Sequence, residues 1–565
     1  MREPKNNVAE TLGRFATQAV LVCFLALITL LALVAVVSTA NMDVLPAEHT
    51  YHLPDNPLVN VAFVVALVVA VRGTVRSPRF AHARTWLVSD RGFFLMRAVL
   101  LALVFVAACA WVLLLRPVPC ADQEDVLRIA GETLAGDWHE LDKGGYLSAY
   151  PFQLGIVLVL RCFVAVFGTH AATVFELSNA VALVLFYYTL GKVLERLGAG
   201  RLQQLAVVVV GLAFFPLIQY ATFVYGTLWG LALATVAMRF ELDFFSTRQI
   251  RRAVYSAVAM AMALMCKENY RIFLIAMVLV AVLELLAKRK RVLLVMPAVL
   301  LVALLVQSAV PRAYVERASG KQVAGGCSPW SYLAMGMQES YADCGWFSAY
   351  NIRTYRAAGD NTAVQAEEAK REFFRACEDF AQHPRGALRF YTRKIASQWN
   401  NPTFQGAWVA QACVAQHPLE GFRAKLVGRT TTDASYAWLN LVQFAILVGA
   451  GAWAALADWG DGRTRWAAVL LLTVLGGFVC HVFWEAKSQY ALPYFALLLP
   501  LAVMGYARLV RQVRMRRAAM VAMAAVCALF AVCCLFGALD YLTFDVSAYH
   551  WYVTSNPIPR ILRGF

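Results

Sequence analysis

The sequence predicts an all-α, polytopic integral membrane protein. Three observations carry that prediction: a composition far from that of soluble domains, a series of apolar runs long enough to cross a bilayer, and basic residues gathered in alternate connecting loops. Of the 565 residues, 60% are hydrophobic and 15% charged, against about a quarter charged in soluble domains. The net charge of +16 comes from short clusters between apolar runs. It is therefore read as membrane topology, with no nucleic-acid partner.

About thirteen spans are expected, near 17–41, 57–72, 93–116, 171–192, 202–218, 226–244, 252–266, 270–287, 291–310, 435–456, 465–483, 489–508 and 517–538. The first exceeds the roughly 20 residues needed to cross hydrocarbon and has no convincing cleavage site after it, so it reads as a retained span. Lys and Arg collect in cytoplasmic loops. With the N-terminus cytoplasmic, the clusters at Arg72–Arg91, Lys192–Arg201, Arg248–Arg252, Lys288–Arg291 and Arg508–Arg517 all fall inside. This sidedness requires the apolar stretch Pro151–Phe167, which carries Gln153 and Arg161, to lie along the outer face as a juxtamembrane helix. An Arg at mid-bilayer costs about 2.5 kcal/mol or more. The C-terminal tail from Asp540 then lies outside.

Five regions follow. Residues 1–116 form an N-terminal three-span region, and 117–170 form the first large outer loop, with an acidic site and the juxtamembrane helix. Residues 171–310 form a six-span core, 311–434 a long outer helical segment, and 435–565 a four-span C-terminal region. Within the long segment, Thr362 to Gln382 has helical periodicity. The chain has 13 cysteines. The outer loops hold Cys120, Cys327, Cys344, Cys377 and Cys413, where an oxidising exterior would permit a pair such as Cys327–Cys344, although spacing alone does not set connectivity. No Cys/His spacing points to a metal site or to redox chemistry.

Polar residues that interrupt apolar runs are the candidates for chemistry. Asp122, Glu124 and Asp125 follow a span directly, which holds them near the lipid surface. A carboxylate there can take a proton from an acceptor hydroxyl or hold a cation against a phosphate, and three acids can also simply solvate a loop. Tyr146 and Gln153, in Gly144-Gly-Tyr-Leu and Tyr150-Pro-Phe-Gln, add aromatic anchoring at headgroup depth. Asn179, with Glu176, lies within a span, where a polar group normally faces a cavity or partner. Lys267, Asn269 and Arg271 crowd one hairpin tip and could bind a phosphate or sugar. Glu485, Lys487, Gln489 and Tyr490 crowd another, where the charges could also simply pair. All three groups are expected on one outer plane.

Taken together, Ala121-Asp122-Gln123, Gly144-Gly-Tyr-Leu with Tyr150-Pro-Phe-Gln-Leu-Gly, Phe223-Val-Tyr225-Gly226, Lys267-Glu-Asn269, Ala334-Met-Gly336 with Gly345-Trp346, Ser397-Gln-Trp399-Asn-Asn-Pro402, and Glu485-Ala-Lys487-Ser-Gln489-Tyr490 resemble the GT-C superfamily of membrane glycosyltransferases. The likeness is to glycosyltransferase family 39, the protein O-mannosyltransferase-like type, in its Gram-positive bacterial form. It runs from about residue 117 to 495. The resemblance implies a multi-pass plasma-membrane enzyme that moves a sugar from a polyprenyl-phosphate donor to an acceptor hydroxyl on the outer face. An acid of the first outer loop would serve as base. Asp122 matches that position best, while Glu124-Asp125 satisfies the paired-acid variant, so the base stays open among the three. Through the same motifs Tyr225 and Trp399 join the expected substrate-binding residues. Two spans precede the point where the family core begins, and Thr227 stands where an acidic residue is common.

The expected reaction inverts the anomeric centre, with Lys267, Arg271 and Lys487 stabilising the departing phosphate. The acceptor class stays open among a cell-envelope polymer, a glycolipid and a protein. No cofactor is implied with certainty, and whether a divalent metal assists is left open. A transporter or flippase is the rival reading, against which stands the absence of evident broken helices and matching halves. A non-catalytic envelope scaffold is a further rival.

Overall fold

The computed structural model describes residues 7–43, 48–415, 419–511 and 516–535. The fold is 81% helix and 3% strand. The expected C-terminal tail from Asp540 lies outside the described residues. The N-terminal third runs α1 (Asn7–Val37), β1 (Ser38–Asp43), β2 (His49–Pro54), α2 (Pro57–Arg76), α3 (Pro78–Val88), α4 (Asp90–Leu115), α5 (Asp122–Leu134), α6 (Tyr146–Ala149), α7 (Leu154–Phe167) and α8 (Ala171–Arg196). The middle runs α9 (Arg201–Ala213), α10 (Pro216–Gln219), α11 (Thr227–Thr247), α12 (Ile250–Cys266), α13 (Arg271–Lys288), α14 (Val295–Ser319), α15 (Pro329–Met335), α16 (Tyr350–Ala357), α17 (Thr362–Gln382), α18 (Pro384–Trp399), α19 (Gly406–Val414) and α20 (Gly421–Val427). The last part is α21 (Arg429–Leu456), α22 (Gly462–Phe483), α23 (Ser488–Ala496), α24 (Leu498–Leu509) and α25 (Arg517–Leu535).

Among the described residues eight helical stretches are long and apolar enough to cross a membrane, or up to ten if each of two bent pairs counts as one span. The expectation of about thirteen runs into three physical features. The run 202–218 breaks after α9 and bends by 63° into Pro216–Thr222, and the run 489–508 bends by 47° between α23 and α24. α12 is only 17 residues long, and α11 carries Arg239, Glu241 and Asp243 toward its end. α7, which was expected along the outer face and not among the thirteen, is 14 residues long, and with α8 it makes the 46-residue stretch Pro151–Arg196 that counts as one candidate span. A 3-10 turn, Gly168–His170, joins α7 to α8.

The hairpin β1–β2 was not expected. Its strands pair antiparallel with Ser38 opposite Pro54, and the run taken as a span to residue 41 leaves the helix at Val37. The hairpin docks on the segment after α14: the Ala40 N–H donates to the Asn400 carbonyl at 3.1 Å and the Thr50 N–H to the Ala342 carbonyl at 3.1 Å. Buried Asp343 anchors it by accepting from Thr50 Oγ1 at 2.5 Å and facing His52 Nε2 at 3.3 Å and Arg393 at 3.1 Å. α17 forms over the residues whose periodicity predicted it, capped by the Asn361 side chain. α14 continues through Pro311 to Ser319, beyond the expected span end at 310.

In the largest apolar cluster α1 packs against α13, α21, α22 and α25, and α11 against α8 and α12, while α5 and α7 share a second, smaller cluster. Two buried acids hold the ends of α11 and α13. Asp243 faces Arg196, Arg239 and Arg252 at 2.6, 3.4 and 3.8 Å. Glu284 faces Arg248 and Arg465, both at 3.0 Å. A buried acid of this kind is tolerable only while its cations stay in place. Glu284→Gln, which strands Arg465 and Arg248, should lower unfolding free energy by about 3–5 kcal/mol, read as a large fall in melting temperature in detergent. A change within error would show that these ion pairs do not hold the bundle.

Candidate functional site

The three acids at the start of α5 meet different partners: Glu124 is turned about 100° or more from the other two, and Arg128 draws Asp125 away from Asp122. Asp122 is the first helical residue, after Ala121 with φ +53°, where the helix dipole favours a carboxylate. It faces two phenols: Tyr146 Oη lies 3.3 Å from Oδ1 and Tyr225 Oη 3.4 Å from Oδ2. Both contacts are long for O–H···O bonds, so the exposed carboxylate keeps acceptor capacity. Burial, helped by Tyr225 and Asp122 for Tyr146 and by Asp122 for Tyr225, pushes both phenols well above their ordinary range. They therefore stay protonated donors.

Asp125 instead pairs with Arg128 at 3.2 Å, in a group where Arg128 also holds Glu132 and Glu140 at 2.7 and 2.8 Å. Glu124 lines a separate, mostly apolar cavity of about 460 Å³ with Val118, Leu127, Arg128, Val164 and Ala172. Of the three candidate bases, Asp122 alone reaches the tyrosines.

Four polar contacts assemble the wall opposite Asp122. Gln153 Nε2 donates to Tyr225 Oη. Buried Gln123 accepts from the Val224 N–H at 2.9 Å, which ties α5 to the Tyr225 loop. Asn179 Nδ2 donates to the carbonyls of Ala221 and Phe223 at 3.0 and 3.1 Å. Asn179 therefore clasps the backbone of the wall instead of lining a cavity as a ligand. Gly226, at φ +69°, brings the loop against the Cys266 carbonyl, which a Cβ there would meet at 2.3 Å.

That close approach sets Lys267 beside Tyr225. Lys267 Nζ lies 5.0 Å from the Tyr225 ring centre, 5.7 Å from Tyr490 and 5.9 Å from Phe223, and donates to Thr227 Oγ1 at 3.2 Å. Among the described residues no carboxylate lies within ion-pair distance of it. Burial pulls its pKa from 10.5 to about 8, against the pull of Asp122 and with Lys487 adding to the fall. Thr227, the departure from the expected acidic residue, thus meets the ammonium as a neutral partner.

The neighbouring tip splits the other expected residues. Arg271 pairs with Glu268 at 2.5 Å, Glu268 lines a second cavity of about 260 Å³ with Phe152, Gln307 and Arg312, and Asn269 is exposed. Neither Arg271 nor Asn269 joins Lys267 at Asp122. Trp399 is also displaced from the expected role: it is 2% exposed, stacks on Tyr494 at 6.1 Å and belongs to the core.

Glu485 and Lys487 do reach the site, with a partner that sequence reasoning missed. Lys487 Nζ pairs with Glu48 at 3.0 Å, from the loop between β1 and β2. Burial opposes the charge on Lys487, but Glu48, Glu485 and Asp122 outweigh it and hold the ammonium above the ordinary lysine range. Burial raises Glu485 to about 7, Lys487 opposing and Glu48 and Asp122 adding to the rise. The Gln489 N–H donates to Gln405 Oε1 at 3.0 Å, and Tyr490 stacks on His481 at 5.5 Å.

Lys394 was also missed. Its buried ammonium donates to the carbonyls of Gly336, Val482 and Trp484, the last two at 2.9 Å, and burial lowers it to about 7. It pins the strand of chain that carries Glu485 and Lys487. Glu48 and Lys394 lie in stretches with no pattern to mark them, while Gln123 was visible only as the neighbour of Asp122.

Glu132, His139 and Glu140 could together offer three ligand atoms within 4.8 Å, but Arg128 already sits on both glutamates. The trio is not part of the Asp122 cluster.

Gly226→Ala should destabilise the protein, since a left-handed alanine costs about 1–2 kcal/mol and the clash about 1–3 kcal/mol more. Gly131→Ala in α5, whose Cβ would meet nothing within 4 Å, should stabilise by up to about 1 kcal/mol. Melting temperatures that move alike would contradict the close approach of the Tyr225 loop to Cys266.

No family model, curated protein or solved structure matches this chain.

Proposed function

We propose that this chain is an inverting GT-C-type glycosyltransferase that moves a sugar from a polyprenyl-phosphate donor to an acceptor hydroxyl at the outer face of the plasma membrane. The observation that carries this reading is the pairing across Tyr225 of an exposed carboxylate, Asp122, with a half-buried lysine, Lys267, that has no carboxylate within ion-pair distance among the described residues. An acceptor hydroxyl gives its proton to Asp122 as its oxygen bonds to the anomeric carbon. The bond from that carbon to the phosphate oxygen breaks, and the phosphate leaves with the electron pair beside Lys267. Lys487, neutralised by Glu48, serves to shape the wall. The donor's prenyl chain would lie toward lipid, and the acceptor is an envelope polymer, a glycolipid or a protein.

A transporter or flippase is favoured by one observation, the two broken helix pairs, since transporters bind substrate at discontinuous helices. Here, however, residues at the two breaks pack on each other: the rings of Phe214 and Phe495 stack at 5.2 Å and both touch Phe404. An apolar plug of this kind does not suit unwound carbonyls that coordinate an ion. The rigid Asp122–Tyr225–Lys267 array suits positioning of two reactants.

Transfer from a radiolabelled polyprenyl-phosphate sugar in membranes tests the proposal. Asp122→Asn should lose about 10²–10⁴-fold in rate and Lys267→Met about 10²–10³-fold, with Asp125→Asn and Arg271→Met close to wild type. Full activity in Asp122→Asn, or vesicle uptake of solute without any transfer, would sink it.

The lowered pKa of Lys267 also sets a pH limit. The site works with the ammonium charged, so transfer should fall as pH rises through about 8, well below the ordinary lysine range. Lys267→Arg, which stays charged at all accessible pH, should remove that alkaline limb from the rate profile whatever its effect on the maximum. An unchanged limb would assign it to another group.

A further inference from the structure

Two cysteines beside the site take no part in the reaction proposed above. Cys120 immediately precedes Ala121 and Asp122, and Cys413 lies near the end of α19, 293 residues away in sequence. Their Sγ atoms are 3.5 Å apart. The approach is built into the backbone, because the Val118 N–H donates to the Cys413 carbonyl at 2.8 Å. Gln123, which holds the Tyr225 loop, also places Nε2 3.6 Å from Cys413 Sγ. Cys120 is partly exposed, while Cys413 is 1% exposed. All four of Cys120, Cys413, Cys327 and Cys344 are free thiols here; in the pair permitted by sequence, Cys327 Sγ turns to the Asn351 carbonyl at 3.6 Å, whereas Cys120 and Cys413 face each other.

We propose that Cys120 and Cys413 form a disulfide in the mature protein, clamping the start of α5, and with it Asp122, to α19. The inference rests on the reading that this end of the bundle faces the outside, where thiols oxidise and persist as disulfides. The sulfurs stand 3.5 Å apart, against about 2.0 Å in a disulfide, and the Val118–Cys413 backbone bond holds the two segments together. Accessibility sets the order of steps. The Cys120 thiol, losing its proton, attacks the disulfide of an extracytoplasmic dithiol oxidant and displaces one of its thiolates. Cys413, losing its proton in turn, attacks Cys120 Sγ in the mixed disulfide and expels the oxidant's second thiolate. Two protein thiols become one disulfide, and the oxidant's disulfide becomes a dithiol.

The clamp acts beside a residue held in the left-handed region. Ala121, between Cys120 and Asp122, has φ +53°, a region that side-chain-bearing residues hold only when their surroundings force it. A crosslink on one side and the Gln123–Val224 bond on the other supply that force and fix the carboxylate opposite Tyr225.

The test uses the full-length protein in cells of its native host. Cells are quenched in acid, thiols are blocked with a maleimide without reductant, and peptides are mapped by mass spectrometry. The expected result is a linked peptide pair carrying Cys120 and Cys413, which separates on reduction. In Cys413→Ser, Cys120 should become alkylated. Alkylation of both cysteines before reduction overturns the proposal, as does Cys120 staying blocked in Cys413→Ser, which would give it another partner. A Lys143→Cys variant separates this outcome from the reading of sidedness. If an impermeant maleimide labels it from outside while Cys120 and Cys413 are free thiols, the disulfide alone fails. If it is not labelled and the thiols are free, the reading of sidedness fails with it.

Discussion

Tyr225 is the constraint on which the site depends. Its hydroxyl faces Asp122, its ring face carries the Lys267 ammonium, and Gln153 donates to the same oxygen. One side chain thus fixes the separation and orientation of a carboxylate and an ammonium that come from distant parts of the chain. Burial keeps the phenol protonated, so it remains a donor toward the carboxylate. Lys267 is half-buried with no carboxylate in ion-pair distance among the described residues, and a partly desolvated ammonium gains more from an incoming anion than a solvated one.

The remaining architecture serves to hold Tyr225 in place. Gln123 from α5, Asn179 from α8 and the close approach at Gly226 act on one short loop, residues 221–226. The other wall is held from a different direction. Lys394 gathers the backbone around Trp484, and Glu48 reaches in from the β-hairpin to Lys487. The helices that carry the loop are long: Asn179 near the start of α8 and Arg196 at its end are separated by roughly 25 Å at 1.5 Å per residue. At the far end, the buried acids Asp243 and Glu284 lock neighbouring helices through arginines. The bundle is therefore fixed by buried ion pairs at one end and carries the Asp122–Tyr225–Lys267 cluster at the other.

Much of this was legible in the sequence, for a physical reason. In a chain that is 60% hydrophobic, charges that interrupt an apolar run are conspicuous, and Asp122, Lys267, Glu485 and Lys487 were found that way. What was not legible depended on direction within a turn or on pairing across the fold. Lys267 and Arg271 lie four residues apart, yet a 3-10 turn between them sends one to Tyr225 and the other to Glu268. Asp122 and Asp125, both in the first turn of α5, part because Arg128 draws Asp125 into an ion pair while Asp122 meets the two tyrosines. Trp399, chosen through the family resemblance, faces the core. The β-hairpin escaped because the expected first span was carried to residue 41, into a first strand of small and polar residues, Ser38–Asp43, and the two bends at 214–216 and 496–498 escaped because aromatic residues fill them. The broken helices count against the expectation that none was present, and their apolar filling keeps that from favouring transport.

A structure of the full-length protein with a short-chain polyprenyl phosphate tests the central claim most directly. The account predicts the phosphate within about 4 Å of Lys267 Nζ, the distance of an ion pair, on the side of Tyr225 that faces Asp122. A phosphate bound instead between Arg271 and Arg312, at the cavity lined by Glu268 and Gln307, would contradict it.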